Sequence, residues 1–263
     1  MNESPIVEKN LTLGIKTFMR PNCLHRLLKS IRELYPHVAV IVVDDGFEDQ
    51  FNEQELHDKY DPITYIRTPP DIGLSAGRNV YVLNVETPYG LLLDDDHVFS
   101  EQTNLEMMVQ GMIDNPHIDI LGGMWFDNGT DQLDFFYQFN IHDGILDLDP
   151  TPIKTEGNYE FYDIVHNFFI FRPESVKRVL WNPKYKMLEH EDFFLRAKKE
   201  GLSVALDRRV AIHHFSERGD SKYCGYRFRD QFRNAFLEDY NLEGLFTPWN
   251  QKIHYKYRGY VDQ

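Results

Sequence analysis

The sequence predicts an α/β fold, a Rossmann-like and mostly parallel central sheet flanked by helices. Two observations predict it. Short apolar runs of strand length alternate with helical patterns through the first hundred residues, and three of those runs end in polar groups: Thr17 with Arg20, Asp44 with Asp45, and Asp94 to Asp96. Strand–helix alternation implies parallel strands covered by helices. In such sheets ligands bind at the carboxyl ends of the strands.

Each element follows in order. Leu11 to Thr17 reads as a buried strand, and Cys23 to Tyr35 as an amphipathic helix with Leu24, Leu27, Leu28 and Ile31 on one face. Val38 to Val43 is a second strand, ending in Asp44-Asp45-Gly46. Glu53 to Lys59 reads as a helix and Ile63 to Arg67 as a short strand. Gly73-Leu74-Ser75-Ala76-Gly77 opens a helix that runs through Arg78-Asn79 toward Leu83. Tyr89 to Leu93 then delivers the triplet Asp94-Asp95-Asp96. The second half is less regular. Thr103 to Ile113 is helical, Ile118 to Met124 a strand, Leu133 to Ile145 aromatic and extended, and Pro150 to Gly157 a loop. Val165 to Phe171 reads as a strand, Glu189 to Glu200 as a helix, Val204 to His214 as a last strand, and Tyr226 to Glu238 as a basic, aromatic helix.

Composition narrows the function. The 263 residues are 42% hydrophobic and 14% aromatic, enough for a full core. A net charge of −14 excludes generic nucleic-acid binding, which needs basic surface. A phosphate-bearing ligand here needs a local basic cluster or a metal ion. Cys23 and Cys224 are too few for a disulfide framework, and a reducing compartment fits. The polar, acidic N-terminus lacks a secretory signal, and no apolar run exceeds strand length, so a soluble, cytoplasmic protein is expected.

Five segments carry candidate chemistry. Three adjacent carboxylates at Asp94, Asp95 and Asp96 repel one another unless a cation compensates, and hard cations such as Mg²⁺ and Mn²⁺ prefer oxygen ligands. Asp44 and Asp45 sit where a carboxylate can hold a ribose or base, although Asp-Asp-Gly is also an ordinary turn. Gly73 to Asn79 combines a helix start with Arg78, a pattern suited to anions and equally to a plain helix entry. Glu189-His190-Glu191-Asp192 places acids in a first helical turn, as capping does, but four ionisable groups exceed what capping needs. A carboxylate there can serve as a general base. His213 and His214 end a strand, so at most one faces a given site.

Assembled, these residues resemble GT-A-fold inverting glycosyltransferases of the large family that includes polysaccharide synthases. Within it the likeness is greatest to catalytic domains of ganglioside-synthase-type β-1,4-N-acetylgalactosaminyltransferases. The resemblance spans roughly residues 11–215. It rests on Lys16-Thr17-Phe18-Met19-Arg20, Val43-Asp44-Asp45, Gly73 to Asn79, Leu93 to Phe99, Leu121-Gly122-Gly123, Asn167-Phe168-Phe169, His190 to Phe194 and His213 to Ser216. It implies a UDP-sugar donor held by Thr17, Arg20, Asp44, Asp45, Arg78, Asp94 and Asp95. It implies Mn²⁺ or Mg²⁺ on Asp96 with His214, and Asp192 as the base with Glu191 beside it. Gly123, Trp125, Asn167 and Glu191 would face a glycan or lipid-linked glycan acceptor. Asp192 departs from the Glu that the ganglioside-type enzymes carry, which shortens the base by one methylene.

The expected organisation is a GT-A catalytic domain over residues 1–216. Its nucleotide-binding half lies at about 1–100 and its acceptor-binding half at about 101–216. Residues 217–263 form a basic, aromatic extension, a candidate lid with Arg218, Lys222, Arg227 and Arg229. The tail from Lys252 to Tyr260 reads first as an ordinary solvated tail, with peripheral contact at the inner membrane face as the alternative. The resemblance favours GalNAc as the sugar, ahead of Gal, GlcNAc and Glc. A nucleotidyltransferase and a non-catalytic carbohydrate-binding protein are the alternatives. The first normally carries a Gly-rich basic loop where this chain reads Thr17 to Asn22 without glycine.

Overall fold

The structure is a computed structural model that describes residues 4–47, 51–128, 131–215, 226, 230–247 and 252–255. The first half comprises α1 (Pro5–Asn10), β1 (Leu11–Thr17), α2 (Pro21–Leu34), β2 (Ala39–Asp44), α3 (Glu53–Tyr60), β3 (Ile63–Arg67), α4 (Gly73–Leu83), β4 (Tyr89–Asp94) and β5 (His97–Val98). There follow α5 (Leu105–Asp114), β6 (Ile120–Asp127), β7 (Asp131–Leu133), β8 (Gln138–His142), β9 (Ile145–Asp149), β10 (Lys154–Glu156), β11 (Tyr159–Tyr162) and β12 (Phe169–Phe171). The chain continues with α6 (Pro173–Lys177), α7 (Glu189–Lys199), β13 (Val204–His214), α8 (Asp230–Asp239), β14 (Gly244–Thr247) and β15 (Lys252–Tyr255).

The main sheet has the order β10-β11-β13-β6-β12-β4-β1-β2-β3. The block from β4 to β3 is parallel, as expected. Beyond β4 the directions mix: β12 runs antiparallel to both β4 and β6, whereas β13 is parallel to β6. A second, four-stranded sheet of β15, β14, β9 and β8 was not anticipated.

Both faces of the central strands are covered, which is why their sequences are apolar without alternation. In β4, Leu92 packs into one core cluster with Tyr81, Phe193 and Phe194, while Leu91 and Leu93 pack into the other with Leu24, Leu27 and Met108. Helix α4 lies very close to the sheet. Its Tyr81 ring fills the space where Gly14 lacks a side chain, 2.1 Å from an ideal Cβ, and its hydroxyl donates to the carbonyls of Thr12 and Leu91 at 2.8 and 3.1 Å. A larger residue at position 14 would lift α4, and Arg78 with it, away from the strand ends.

Three expectations change in detail. The stretch expected as a loop from Pro150 to Gly157 contains β10, an edge strand whose three residues are all exposed. With neither face buried, it leaves no hydrophobic pattern to read. Of the stretch from Val165 to Phe171, only Phe169–Phe171 pairs as a strand, so its apolarity reported burial rather than pairing. The C-terminal helix spans Asp230–Asp239, where Phe236 and Leu237 are fully buried in the core, and β14 pairs in parallel with β9. Among the described residues no helix is long and apolar enough to cross a membrane.

Candidate active site

Parallel register brings the polar strand ends together. Thr17 of β1 lies opposite Asp44 of β2, Lys16 lies opposite Asp94 of β4, and Asp44 lies opposite Arg67 of β3. At this edge a small cavity of about 50 Å³ is lined by Lys16, Phe18, Asp45, Asp71, Gly73 and Lys186, among others. Asp45 Oδ2 accepts the Gly73 N–H at 2.9 Å, which caps α4, and its Oδ1 is ion-paired with Lys16. Burial pushes the Lys16 amine below its ordinary pKa against the pull of Asp45. Lys16 was missed as a site residue, although a lysine in an apolar strand was its signal. Asp44 does not line the cavity. It accepts from Tyr65 Oη and Gly46 N, each at 2.8 Å, and pairs with Arg67, so it anchors β2 to β3.

Every carboxylate of the triplet has partners. Asp94 accepts from Arg78 Nη2 and Asn167 Nδ2, both at 3.1 Å. Asp95 accepts from Thr17 Oγ1 at 2.7 Å and pairs with Arg20. Asp96 accepts from Arg20 Nη1 at 2.8 Å and faces His214 Nε2 at 3.5 Å. Burial pushes the Asp95 carboxyl up to about 6 despite Arg20. Burial acts the same way on Asp96, but His214 and Arg20 outweigh it and hold that carboxyl well below the usual range. Arg20 reaches both acids from a turn in which Met19 has φ +56, at the entry to α2.

The acids of this cluster suit a hard divalent cation. Asp94, Asp96 and His97 bring ligand atoms within 4.8 Å of one another. His97 Nδ1, however, accepts the Asp94 N–H at 3.2 Å, which leaves its other nitrogen carrying the proton. His214 is better prepared: its Nδ1 meets Asp127 Oδ1 at 2.9 Å, and its Nε2 points at Asp96. A carboxylate behind a histidine fixes the tautomer and turns the far nitrogen toward a metal. Asp127 was missed because it lies far from the triplet in sequence; β6 pairs it with His214. His213, on the other face of β13, packs against the Phe126 and Phe215 rings.

A second cavity, of about 270 Å³, is lined by Trp125, Phe135, His166, Asn167, Glu189 and Glu191, among others. It adjoins the first, sharing Leu74 and Lys186. Trp125 is sandwiched between His166 and His214, with ring centroids 4.4 and 4.7 Å apart. Glu191 is buried and has no cationic partner among the described residues. Burial, reinforced by the charge of Glu189, pushes its carboxyl up to about 7. Next to it, His190 Nε2 donates to the Val165 carbonyl at 2.6 Å, and burial pushes this ring down to about 3, so it is neutral at pH 7.

Three residues singled out in the sequence do not face this space. Asp192 is 2% exposed; its Oδ2 accepts from Arg196 Nε and Nη2 at 3.0 and 2.6 Å, and its Oδ1 from Tyr240 Oη at 2.8 Å. Arg78 is 1% exposed, with one nitrogen on Asp94 and another on Glu189, so it bridges the two cavities' walls rather than reaching into either. Gly123 is buried in β6 against the Phe168 ring. The candidate lid residues Arg218, Lys222, Arg227 and Arg229 lie outside the described residues.

Residues 12–180 match the family model described as Glycosyl transferase family 2. The chain belongs to that family. Mouse Beta-1,4 N-acetylgalactosaminyltransferase 2 is 34% identical over 195 residues, covering 70% of this chain and 35% of that protein. Human Beta-1,4 N-acetylgalactosaminyltransferase 1 is 28% identical over 250 residues, covering 88% of this chain and 45% of that protein. The chain thus spans less than half the length of these curated relatives. Among solved structures, S. aureus TarS 1-349 in complex with UDP-GlcNAc matches with a TM-score of 0.64 at 16% identity, over 87% of this chain and 65% of that one. TarS 1-349 in a second crystal structure matches with a TM-score of 0.59, over 78% and 60%. The shared architecture is the GT-A fold.

Proposed function

We propose that this family 2 chain is an inverting glycosyltransferase that moves a sugar, GalNAc first, from a UDP-sugar to a hydroxyl of a glycan or glycolipid acceptor. One observation carries the reading: Glu191, a buried carboxylate with no cationic partner among the described residues, lines a cavity that adjoins a smaller one bordered by Asp45 at the strand ends. The UDP-sugar rests on the TarS complex, and GalNAc on the names of the curated relatives. The uridine would enter beside Asp45 and Phe18, with its diphosphate near the triplet.

Asp96 and His214 would hold Mn²⁺ or Mg²⁺, which supplies positive charge beside the leaving diphosphate. The chain's own residues do the rest. Trp125, with both faces covered by His166 and His214, and Phe135 would wall the acceptor side. Glu191 takes the proton of the acceptor hydroxyl as that oxygen bonds to the anomeric carbon. The bond from that carbon to the diphosphate oxygen breaks, and UDP leaves with the electron pair. A single displacement inverts the anomeric centre. A base whose pKa lies near the working pH is suited to this step. Asp192, held by Arg196 and Tyr240, fixes the start of α7 and so the aim of Glu191.

A donor-hydrolysis and binding screen across UDP- and GDP-sugars, with and without Mn²⁺, tests the reading. Turnover of UDP-GalNAc dependent on the metal is expected. If no nucleotide-sugar binds or reacts with Mn²⁺ present, the proposal fails.

A further inference from the structure

Lys186 stands where the two cavities meet. It lies in the loop that leads into α7, and it lines both the nucleotide cavity and the acceptor cavity. Its amine crosses to the loop before α4, donating to the Asp71 carbonyl at 2.6 Å and meeting the Asp71 carboxylate at 2.7 Å. Gly73 permits the crossing. It has φ +88, and an ideal Cβ there would stand 3.1 Å from Lys186 Cγ.

Among the described residues, Lys16, Arg78 and Arg20 are more deeply buried than Lys186. The Lys16 side chain is 3% exposed on Asp45, Arg78 is 1% exposed between Asp94 and Glu189, and Arg20 is shared by Asp95 and Asp96. Lys186 and Asp71 keep 20% and 24% of their side chains exposed, and both border the open nucleotide cavity. On the UDP-sugar reading above, a donor with its base beside Asp45 and its sugar toward Glu191 must carry its diphosphate past this amine.

We infer that Lys186 binds the donor's diphosphate, exchanging the Asp71 carboxylate for phosphate oxygens. The exchange keeps the ammonium paired with an anion, and a flexible lysine can swing between two acceptors more readily than a forked guanidinium can. Asp71 holds the amine extended over Gly73 until the donor arrives. The inference rests on the reading of the site as a UDP-sugar site.

The test is titration calorimetry of the full chain in Mn²⁺, with UDP and uridine as separate probes. Failure of the unaltered protein to bind UDP would sink the donor reading itself. Where it does bind, Lys186→Met should weaken UDP about ten-fold, in line with losing one charge-assisted hydrogen bond, and leave uridine unchanged. Lys186→Arg should recover most of the loss, and Asp71→Asn should not weaken UDP. The inference is overturned if Lys186→Met leaves UDP affinity intact, or if it weakens uridine equally. It is also overturned if Asp71→Asn costs as much UDP affinity as Lys186→Met, because the pair would then be a loop staple.

Discussion

The two cavities treat their carboxylates in opposite ways. At the strand ends by the first cavity, Asp44, Asp45, Asp94, Asp95 and Asp96 are each tied to a cation or to several donors. In the second cavity, Glu191 is buried beside Glu189 with no cationic partner among the described residues, and its carboxyl is driven up to about 7. Acids tied to donors in this way are fixed in place. An unpaired buried acid is unstable when charged, and that instability makes it a proton acceptor. The lesson is a division of labour: one side is built to hold, the other to react.

The sharpest way to break this contrast is Glu191→Gln. Transfer should fall by on the order of 10²- to 10⁴-fold while UDP binding stays nearly intact, as read by steady-state kinetics and calorimetry. If Asp192→Asn produces the larger loss instead, the base is Asp192 and the pairing with Arg196 and Tyr240 opens during turnover. The holding side is probed by Arg20→Ala, which leaves Asp95 and Asp96 without their shared guanidinium. A loss of about 3 kcal/mol is expected in denaturant melts, along with weaker UDP binding. An unchanged melt would mean the network is ornamental.

A pH series separates the two sides without mutation. The transfer rate should rise with pH through about 7, as Glu191 ionises. Stability should move the other way. The native state keeps the Glu191 proton between its ordinary 4.5 and about 7, where the unfolded chain has released it, so this group's contribution to stability falls as pH rises across that window. Glu191→Gln should flatten that slope; a slope that survives belongs to another group. The smallest effect expected is that of Tyr240→Phe, which removes one hydrogen bond to Asp192 at about 1 kcal/mol. A lower kcat with unchanged KM for the donor would show that α8 helps to aim the catalytic helix.

Much of the first half was legible because its strands are covered on both faces. Leu91, Leu92 and Leu93 read as a buried strand, and the polar groups after it marked the edge where ligands bind. The second half was less so. The edge strand β10 buries no face, and residues such as Val165 are apolar because they are packed, not because they pair. The triplet was visible as a cation site from charge repulsion alone. Its ion pairs with Arg20, which returns through a left-handed turn at Met19, were not, nor was Asp127, which arrives on β6 behind His214. Similarly, the acids of Glu189 to Asp192 were visible as a cluster, but helical spacing could not say which one faces the cavity.

By itself the sequence determined the parallel α/β half, the convergence of Thr17, Asp45 and the triplet at one sheet edge, and the cluster of acids at the start of α7. These follow from local patterns: apolar runs, turn residues and charges placed next to one another. Only the tertiary structure decided which of those groups are already paired. Arg78 turned out to bridge Asp94 and Glu189, Asp192 to be held by Arg196 and Tyr240, and Lys186 to span both cavities. Asp192 and Arg196 are four positions apart on one helix, but the other pairings join residues 16 to 111 positions apart and depend on distance across the fold and on burial that shuts out water. Neither quantity exists until the sheet and its helices have closed.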